Sequence, residues 1–243
     1  MKILLFIIFS IFCFGKCKTA KTGSPSNNNI DTTIYYTSTP TADGIGKFYM
    51  GREISQVMGV AGVGWLERNE RDKEENTKLA LEKIALSPAD VVADIGAGTG
   101  YYTFKISQKV LHGKVYAVEI QDEMIAILNK RKKESGIKNV EVIKGSNRSL
   151  NLPDNSVDLA IMVDVYHELE YPREMLQAIY KSLKSTGKLL LLEYRAEDPF
   201  IQIKPLHKMS VAQVNKELQA NGFKLFYRGD FLPIQHFLLY QKK

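Results

Sequence analysis

Strand and helix patterns alternate along most of this 243-residue chain, and this alternation limits the fold more than any other feature. Short apolar runs, typical of strands buried on both faces, lie at residues 90–95, 114–119, 140–143, 157–163 and 188–193. Stretches of helical composition lie at residues 67–86, 101–111, 122–134 and 172–183. Strands that alternate with helices of about 10–15 residues form right-handed crossovers, which predicts a parallel sheet with helices on both faces.

The last part of the chain departs from this alternation. A predicted helix at residues 210–221 is followed by two strand-like runs, 223–228 and 234–240, separated only by the sequence GDFLP. That gap is too short for a crossover helix, so the two runs should form an antiparallel hairpin. The sequence therefore predicts an α/β fold: a doubly wound, seven-stranded, Rossmann-like sheet with a C-terminal antiparallel strand hairpin.

Composition excludes several kinds of site. Lys and Arg number 33 and Asp and Glu 27, so the formal charge of +6 is only a weak indication of an anionic partner. Both cysteines, Cys13 and Cys17, lie near the amino terminus. The chain after them therefore has no thiol for a disulfide framework, a cysteine-ligated metal or a cysteine nucleophile. No metal site is predicted.

Residues 1–17 have the pattern of a signal peptide or a lipoprotein-type leader. An apolar run at 3–14 follows Lys2 and would span only about 18 Å as a helix, less than a bilayer core of roughly 30 Å. Cys17 stands near the position of a lipidated cysteine. We expect an exported or membrane-anchored protein, either periplasmic or a lipoprotein, associated with the membrane through this leader. The lysines after the run favour the opposite location, the cytoplasmic face of the membrane.

The remaining chain divides into three parts. Residues 18–43, rich in Thr, Ser, Asn and Gly, show no helix or strand period and predict a flexible linker. Residues 44–78 combine aromatic residues, glycines and charges and predict an N-terminal extension that covers a crevice as a lid. Residues 79–243 form the predicted sheet domain.

A glycine-rich loop follows the first strand of that domain, with the sequence DIGAGTGY over residues 94–101. Alternate glycines let the backbone turn sharply at the carboxyl edge of the sheet, where doubly wound folds bind ligands. Glu119 ends the next strand, where an acidic residue can hold two ribose hydroxyls. Tyr101 occupies the sixth position, where a dinucleotide-binding loop has Gly, and Asp94 would repel a pyrophosphate. Both departures favour S-adenosylmethionine (SAM), which carries an ammonium, a sulfonium and no phosphate.

The stretch VVADIGAGTGYYT resembles motif I of the class I SAM-dependent methyltransferases. The resemblance covers residues 79–240 and includes the terminal hairpin. It implies that SAM is the cofactor and that Glu119 holds its ribose. By the same resemblance, Ser146 and Asn147 stand near the adenine as neutral hydrogen-bonding groups. The other implied SAM-binding residues, most of them beside the methionine part, are Asp94, Gly96, Gly98, Gly100, Tyr101 and Asp164.

The fourth strand ends in VDVYHELEYP, which places Asp164, Tyr166 and His167 at the carboxyl edge beside the transferred methyl group. These three are the predicted catalytic residues, with His167 as the general base because its ordinary pKa is near 6.5. Lys204 and His207 lie on a later loop that could also face the acceptor. This segment has no NPPY-like sequence, which counts against common nucleobase methyltransferases. A nucleic-acid partner is therefore not expected.

The methyl acceptor is a small molecule or a protein, and the motifs do not distinguish the two. The segment GREIS at residues 51–55 resembles one in protein-isoaspartyl methyltransferases, so a protein carboxyl methyltransferase is one competing hypothesis. A nicotinamide-dependent oxidoreductase and a non-catalytic Rossmann-like binding module are two more. The glycine spacing disfavours the oxidoreductase.

Overall fold

A computed structural model describes residues 34–243. The predicted leader at 1–17, with Cys13 and Cys17, and linker residues 18–33 lie outside the described residues, so those interpretations stay predictions. Within 34–243, no helix combines the length and the apolar character needed to cross a bilayer.

A small antiparallel sheet begins the described chain. Its strands, in the order β1-β2-β3, are β1 (Tyr35–Thr37), β2 (Gly44–Tyr49) and β3 (Arg52–Ser55). The Tyr35 hydroxyl donates to Glu174 Oε2 (2.6 Å), which fastens β1 to the main domain. The linker prediction is therefore wrong over residues 35–37, because Tyr35 and Tyr36 supply the ring contacts that a low-complexity composition concealed.

Short helical segments connect this sheet to the main domain: a 3₁₀ turn at Val60–Gly62, then α1 (Val63–Leu66), α2 (Arg71–Glu75) and α3 (Thr77–Lys83). The single helix predicted at 67–86 is thus divided. The break lies at Asn76, which adopts a left-handed conformation (φ 53°) and caps α3 by accepting a hydrogen bond from Leu79 N (3.3 Å). Asparagine tolerates this conformation better than most residues do.

The main sheet has seven strands in the order β6-β5-β4-β7-β8-β10-β9. They are β4 (Val91–Ile95), β5 (Lys114–Glu119), β6 (Val140–Lys144), β7 (Val157–Val163), β8 (Leu183–Tyr194), β9 (Phe223–Gly229) and β10 (Gln235–Lys242). Neighbours from β6 to β8 pair in parallel, and β10 is antiparallel to both β8 and β9. The predicted fold, including the hairpin, is confirmed.

Four further helices flank the sheet: α4 (Tyr101–Ser107), α5 (Asp122–Ser135), α6 (Pro172–Ser182) and α7 (Val211–Ala220). Further 3₁₀ turns lie at Tyr166–Glu168 and Pro205–His207.

Strand β8 shows why apolar runs mark buried strands. Leu189 and Leu191 pack into the hydrophobic cluster on one face of the sheet, and Leu190 and Leu192 pack into the cluster on the other. All four side chains are fully buried, and each burial is worth about 2 kcal/mol. A sheet covered on both faces needs this continuous pattern.

The strand order reverses on either side of β4, since β5 lies on one side and β7 on the other. Ligands of doubly wound folds bind in the crevice that opens at such a reversal, outside the carboxyl ends of the strands. The loops that follow β4, β5, β7 and β8 all reach this edge.

The glycine that begins α4 allows a stability test of this arrangement. Gly100 has φ +90°, and a Cβ there would lie 2.4 Å from the Phe104 ring and 2.8 Å from Leu128. We expect Gly100→Ala to lower the free energy of unfolding by about 2–4 kcal/mol, because left-handed strain and overpacking add. The matched control is Gly136→Ala, where φ is +65° but a Cβ meets nothing within 4 Å. It should cost only about 1–2 kcal/mol. Equal losses in urea unfolding would contradict this packing.

Candidate active site

A cavity of about 510 Å³ opens at the carboxyl edge of the sheet. Its walls come from the loops after β4, β5, β6, β7 and β8 and from residues 56–75 of the N-terminal extension. Most of the residues singled out from the sequence line it: Asp94, Gly96, Gly98, Tyr101, Glu119, Ser146, Asn147, Asp164 and His167.

The glycine loop is held by the neighbouring strand. The amides of Gly96 and Ala97 both donate to the Val118 carbonyl, at 2.9 and 3.1 Å. Gly96 has φ +70°, and a Cβ there would lie 2.7 Å from the Val165 side chain. Glycine is therefore required at this turn, where two loops approach closely.

Glu119 is fixed by three backbone amides. Gly98 N donates to its Oε2 (2.8 Å), while Ile120 N and Gln121 N donate to its Oε1 (2.7 and 3.0 Å). The side chain is buried at 4% exposure. This carboxylate thus has a fixed position in the cavity wall, in which it can accept hydrogen bonds from vicinal hydroxyls.

Asp94 lies behind the loop with its carboxyl group buried. Thr103 Oγ1 donates to Asp94 Oδ2 (2.6 Å). Burial raises the pKa of Asp94 to about 6 against the opposing hydrogen bond from Thr103. An ionised Asp94 would therefore be stabilised by a cationic ligand.

Asp164 follows β7 in a left-handed conformation (φ 53°), and only one of its carboxyl oxygens has a partner. Gln235 Nε2 donates to Oδ2 (2.7 Å), but Oδ1 is buried with no hydrogen-bond partner among the described residues. Burial, reinforced by the nearby Glu75 carboxylate, raises the pKa of Asp164. This orphaned oxygen belongs to a residue of the cavity wall, where a donor or a cation from a ligand would satisfy it.

No pattern in the sequence indicated a second polar group next to Asp164. Arg71 pairs with Glu75 (Nε–Oε2 2.9 Å), and the Tyr194 hydroxyl donates to Glu75 Oε1 (2.9 Å). All three residues line the cavity. Arg71 and Glu75 belong to the extension, and only folding brings that segment to the end of β8.

Two residues assigned from the sequence do not line the cavity. Gly100 packs against Phe104 and Leu128 at the start of α4, so its role is structural. Tyr166 is fully buried, and its hydroxyl donates to Glu217 Oε2 (2.7 Å). The catalytic role predicted for Tyr166 is therefore wrong in this geometry, because the 3₁₀ turn directs its side chain into the core.

His167 lines the cavity with its ring held by Glu193. His167 Nδ1 lies 2.7 Å from Glu193 Oε2, and the ring is only 2% exposed. Burial alone would lower the pKa of His167, but the Glu193 carboxylate raises it. Glu193 Oε1 also accepts hydrogen bonds from Val165 N (3.2 Å) and Tyr166 N (2.7 Å), so one carboxylate fixes both the ring and its turn.

The imidazole of His207 contacts the imidazole of His167. His207 Nδ1 lies 3.2 Å from His167 Nε2, and His207 Nε2 lies 3.2 Å from Asp43 Oδ2. Burial and the neighbouring His167 both lower the pKa of His207. Lys204 Nζ reaches Asp43 Oδ1 (2.7 Å). The loop that the sequence suggested could face the acceptor does line the cavity, through Lys204 and His207.

Sequence reasoning missed two acidic residues at this end of the cavity. Asp43 lay in the presumed linker, and Glu168 follows His167 without any motif of its own. Glu168 Oε2 accepts a hydrogen bond from Met58 N (2.9 Å), and burial raises the pKa of Glu168 to about 7. Their only signal in the sequence was proximity to His167 or to the start of a strand.

The extension forms one wall of the cavity, through Met58, Trp65 and Leu66 among other residues. Gln121 Nε2 donates to the Met58 carbonyl (3.0 Å), which joins this wall to the loop after β5. The extension thus covers one side of the cavity, as a lid would. That it opens and closes over the cavity stays a prediction.

Comparison with known proteins identifies a domain within the chain. Residues 93–191 match the family described as "Methyltransferase domain". This match assigns residues 93–191 to a methyltransferase domain.

A crystal structure of a SAM-dependent methyltransferase from Aquifex aeolicus is 25% identical, with a TM-score of 0.71 over 76% of this chain and 98% of that one. An uncharacterized methyltransferase, YcgJ of Bacillus subtilis, is 31% identical over 45% of this chain and 43% of its own length. A ubiquinone/menaquinone biosynthesis C-methyltransferase, UbiE of Hydrogenovibrio crunogenus, is 30% identical over 47% and 46%. The matches thus span less than half the length of these two relatives.

The cofactor of this domain is S-adenosylmethionine, and the cavity residues fit it. SAM brings two positive groups and no phosphate, and the wall beside the glycine loop offers the carboxyl groups of Asp94, Glu119 and Asp164. The unpartnered Asp164 Oδ1 is a ready acceptor for an ammonium N–H. Glu119 would hold the ribose hydroxyls, and Ser146 and Asn147 also lie in the cavity wall.

The raised pKa of Asp94 predicts how SAM binding depends on pH. Below pH 6 this carboxyl is mostly protonated, and a cationic ligand favours its ionised form, so binding should release a proton. We expect affinity to rise with pH between about 5 and 7, by up to about tenfold per unit. Calorimetric titration in two buffers of different ionisation enthalpy measures both quantities. Asp94→Asn should bind more weakly and with a shallower slope; an unchanged slope would contradict the role of Asp94.

Proposed function

We propose that this protein transfers the methyl group of SAM to a small organic molecule whose reacting part meets His167 and His207. The observation that carries the proposal is a single cavity lined by the glycine loop with its carboxylates and also by two facing imidazoles. The cavity, about 510 Å³, is within the range of small-molecule sites.

SAM, when bound, would supply an electrophilic methyl group and leave as S-adenosylhomocysteine with the electron pair of the broken sulfur–carbon bond. The chain has to align the acceptor and take up its proton. His167 Nδ1 faces Glu193, so a neutral ring carries its hydrogen there. This leaves Nε2, which lies 3.2 Å from His207 Nδ1, as the proton acceptor. The imidazolium that forms is stabilised by the buried Glu193 carboxylate. The proton lost by the acceptor thus goes to His167 Nε2 as the new bond to the methyl group forms.

The name of the UbiE relatives favours a carbon acceptor of small size. A carbon becomes nucleophilic when a neighbouring hydroxyl on an unsaturated ring loses its proton. After methylation that carbon loses its own hydrogen as a proton and the ring oxygen is protonated again, so the net release is one proton. We therefore propose an acceptor of this hydroxylated class, with the hydroxyl directed at His167.

The structure offers a plain account of the segment that resembled protein-isoaspartyl methyltransferases. Ile54 and Ser55 lie in β3 and are buried, with no exposure in the present fold. Neither residue lines the cavity, so no contact of theirs there favours a protein carboxyl acceptor.

A labelled-methyl assay tests the proposal. Purified protein is incubated with tritiated SAM and a panel of hydroquinones and phenols, and transfer to the organic phase is counted. We expect His167→Asn to lower kcat by about 10²–10⁴-fold, because general-base catalysis is lost. The matched control is His112→Asn, since His112 is exposed and absent from the cavity wall.

Further outcomes of these measurements would overturn parts of the proposal. If His167→Asn retained full activity, His167 would not be the base. If the protein bound NADH tightly and SAM not at all, the oxidoreductase hypothesis would replace it. SAM binding without labelling of any compound in cell extracts would instead indicate a binding module.

We propose further that the leader at 1–17 carries this domain to the outer side of the cytoplasmic membrane. The support is the apolar run at 3–14 and Cys17. A reporter that is active only outside the cytoplasm, fused after residue 33, should give a signal. Signal only from a cytoplasmic reporter would place the domain on the inner face.

A further inference from the structure

The imidazoles of His167 and His207 lie at the acceptor end of the cavity, each beside a carboxylate and in contact with the other. His167 Nδ1 faces Glu193 Oε2 at 2.7 Å, and His207 Nε2 faces Asp43 Oδ2 at 3.2 Å. His167 therefore directs an N–H at a carboxylate, while His207 has a carboxylate oxygen near Nε2 that accepts no hydrogen bond from it. The other two nitrogens lie 3.2 Å apart, and both present lone pairs when neutral His207 carries its hydrogen on Nε2, the side of Asp43. A positive species between them, either a proton or a cation, removes this repulsion.

A third ligand atom lies beside the pair. The carboxylate of Glu168 supplies an oxygen, and its ligand atom and those of the two histidines lie within 4.8 Å of one another. Glu168 Oε2 is positioned by Met58 N (2.9 Å). All three residues line the cavity, so a bound ion would keep an open side toward the proposed acceptor.

We propose that His167, Glu168 and His207 form a binding site for a divalent first-row transition-metal cation. Two imidazoles and one carboxylate are a donor set that Zn²⁺ and its neighbours accept, often with further positions left open. Two nitrogens each about 2.1 Å from a tetrahedral zinc ion lie about 3.4 Å apart, close to the separation found between these rings.

The surroundings of the histidines support a cation more than a chance contact. Histidine ligands commonly donate their second N–H to a carboxylate, which fixes the ring and strengthens the ligand nitrogen. Here Glu193 does this for His167, and Asp43 Oδ2 lies 3.2 Å from His207 Nε2 without a hydrogen bond between them. The charged groups near the rings also include Glu168 and two cations, Lys204 at Asp43 and Arg52 at the His167 carbonyl.

The cation site would also take part in the proposed methyl transfer, and this part of the inference rests on that proposed function. An acceptor hydroxyl that coordinates the cation from the cavity side binds as its oxyanion, and its proton leaves to water. In the loaded protein the cation would therefore occupy the gap in which His167 otherwise takes up the proton. Binding of the cation itself does not depend on the methyl acceptor.

Metal binding is tested on the full chain after removal of metals with a chelator. All versions carry Cys13→Ser and Cys17→Ser, because these thiols could bind metal independently. Zn²⁺ is titrated calorimetrically, and the visible spectrum of bound Co²⁺ reports the geometry of the site. We expect uptake of about one ion per chain, with at least about tenfold weaker binding in His207→Ala and in Glu168→Gln. His112→Ala should bind as the parent protein does.

Two further measurements make the result decisive. Circular dichroism and SAM titration on the same samples show that His207→Ala is folded and that its glycine-loop end is intact. Glu193→Gln, which removes only a positioning group, should weaken Zn²⁺ binding by about 10–100-fold and change the Co²⁺ spectrum.

The proposal is overturned if no Zn²⁺ or Co²⁺ is taken up, or if His207→Ala binds both as tightly as the parent protein. Failure of the methyl-transfer proposal is a separate observation. It would show as absent SAM binding or absent labelling in the metal-free and in the loaded protein alike.

Discussion

The carboxylate of Glu193 is the contact on which the acceptor end of the site depends. It ends the apolar run of β8, is fully buried, and accepts hydrogen bonds from two backbone amides and one imidazole of the loop after β7. A buried carboxylate is costly unless its lone pairs are satisfied, so this loop has little freedom to move away. The orientation of His167 thus follows from the position of a single charged residue on the neighbouring strand.

A second buried pair joins the extension to the same loop. Arg52 of β3 contacts Glu217 of α7 through two nitrogens (2.7 and 3.2 Å) and donates to the carbonyl of His167 (2.9 Å). Tyr166 also donates to Glu217, which explains why its side chain turns away from the cavity. The small sheet is therefore part of the site's support, and the extension contributes both a wall and the anchoring of the histidine.

The fold was predictable to within a few residues at most strand ends, because strands buried on two faces leave continuous apolar runs. The SAM end was also predictable in outline, since Asp94, Gly96 and Glu119 belong to one local unit of strand, loop and strand. The acceptor end was predictable only in part: His167, Lys204 and His207 were assigned to it from the sequence and line the cavity, but the groups that contact them were not. Its groups come from distant parts of the chain, and Asp43, Glu168 and Glu193 carry no local pattern that distinguishes them from ordinary surface or core charges.

By itself the sequence determined the sheet, the glycine loop and the positive character of the cofactor, because these depend on periodicity and on contacts within about 25 residues. Only the tertiary structure decided which side chains meet beyond the cofactor. It shows that Tyr166 lies outside the site, that His207 contacts His167, and that residues 35–37 form a strand and not a linker. The physical reason is that side-chain direction and long-range pairing are fixed by packing, which a one-dimensional pattern does not record.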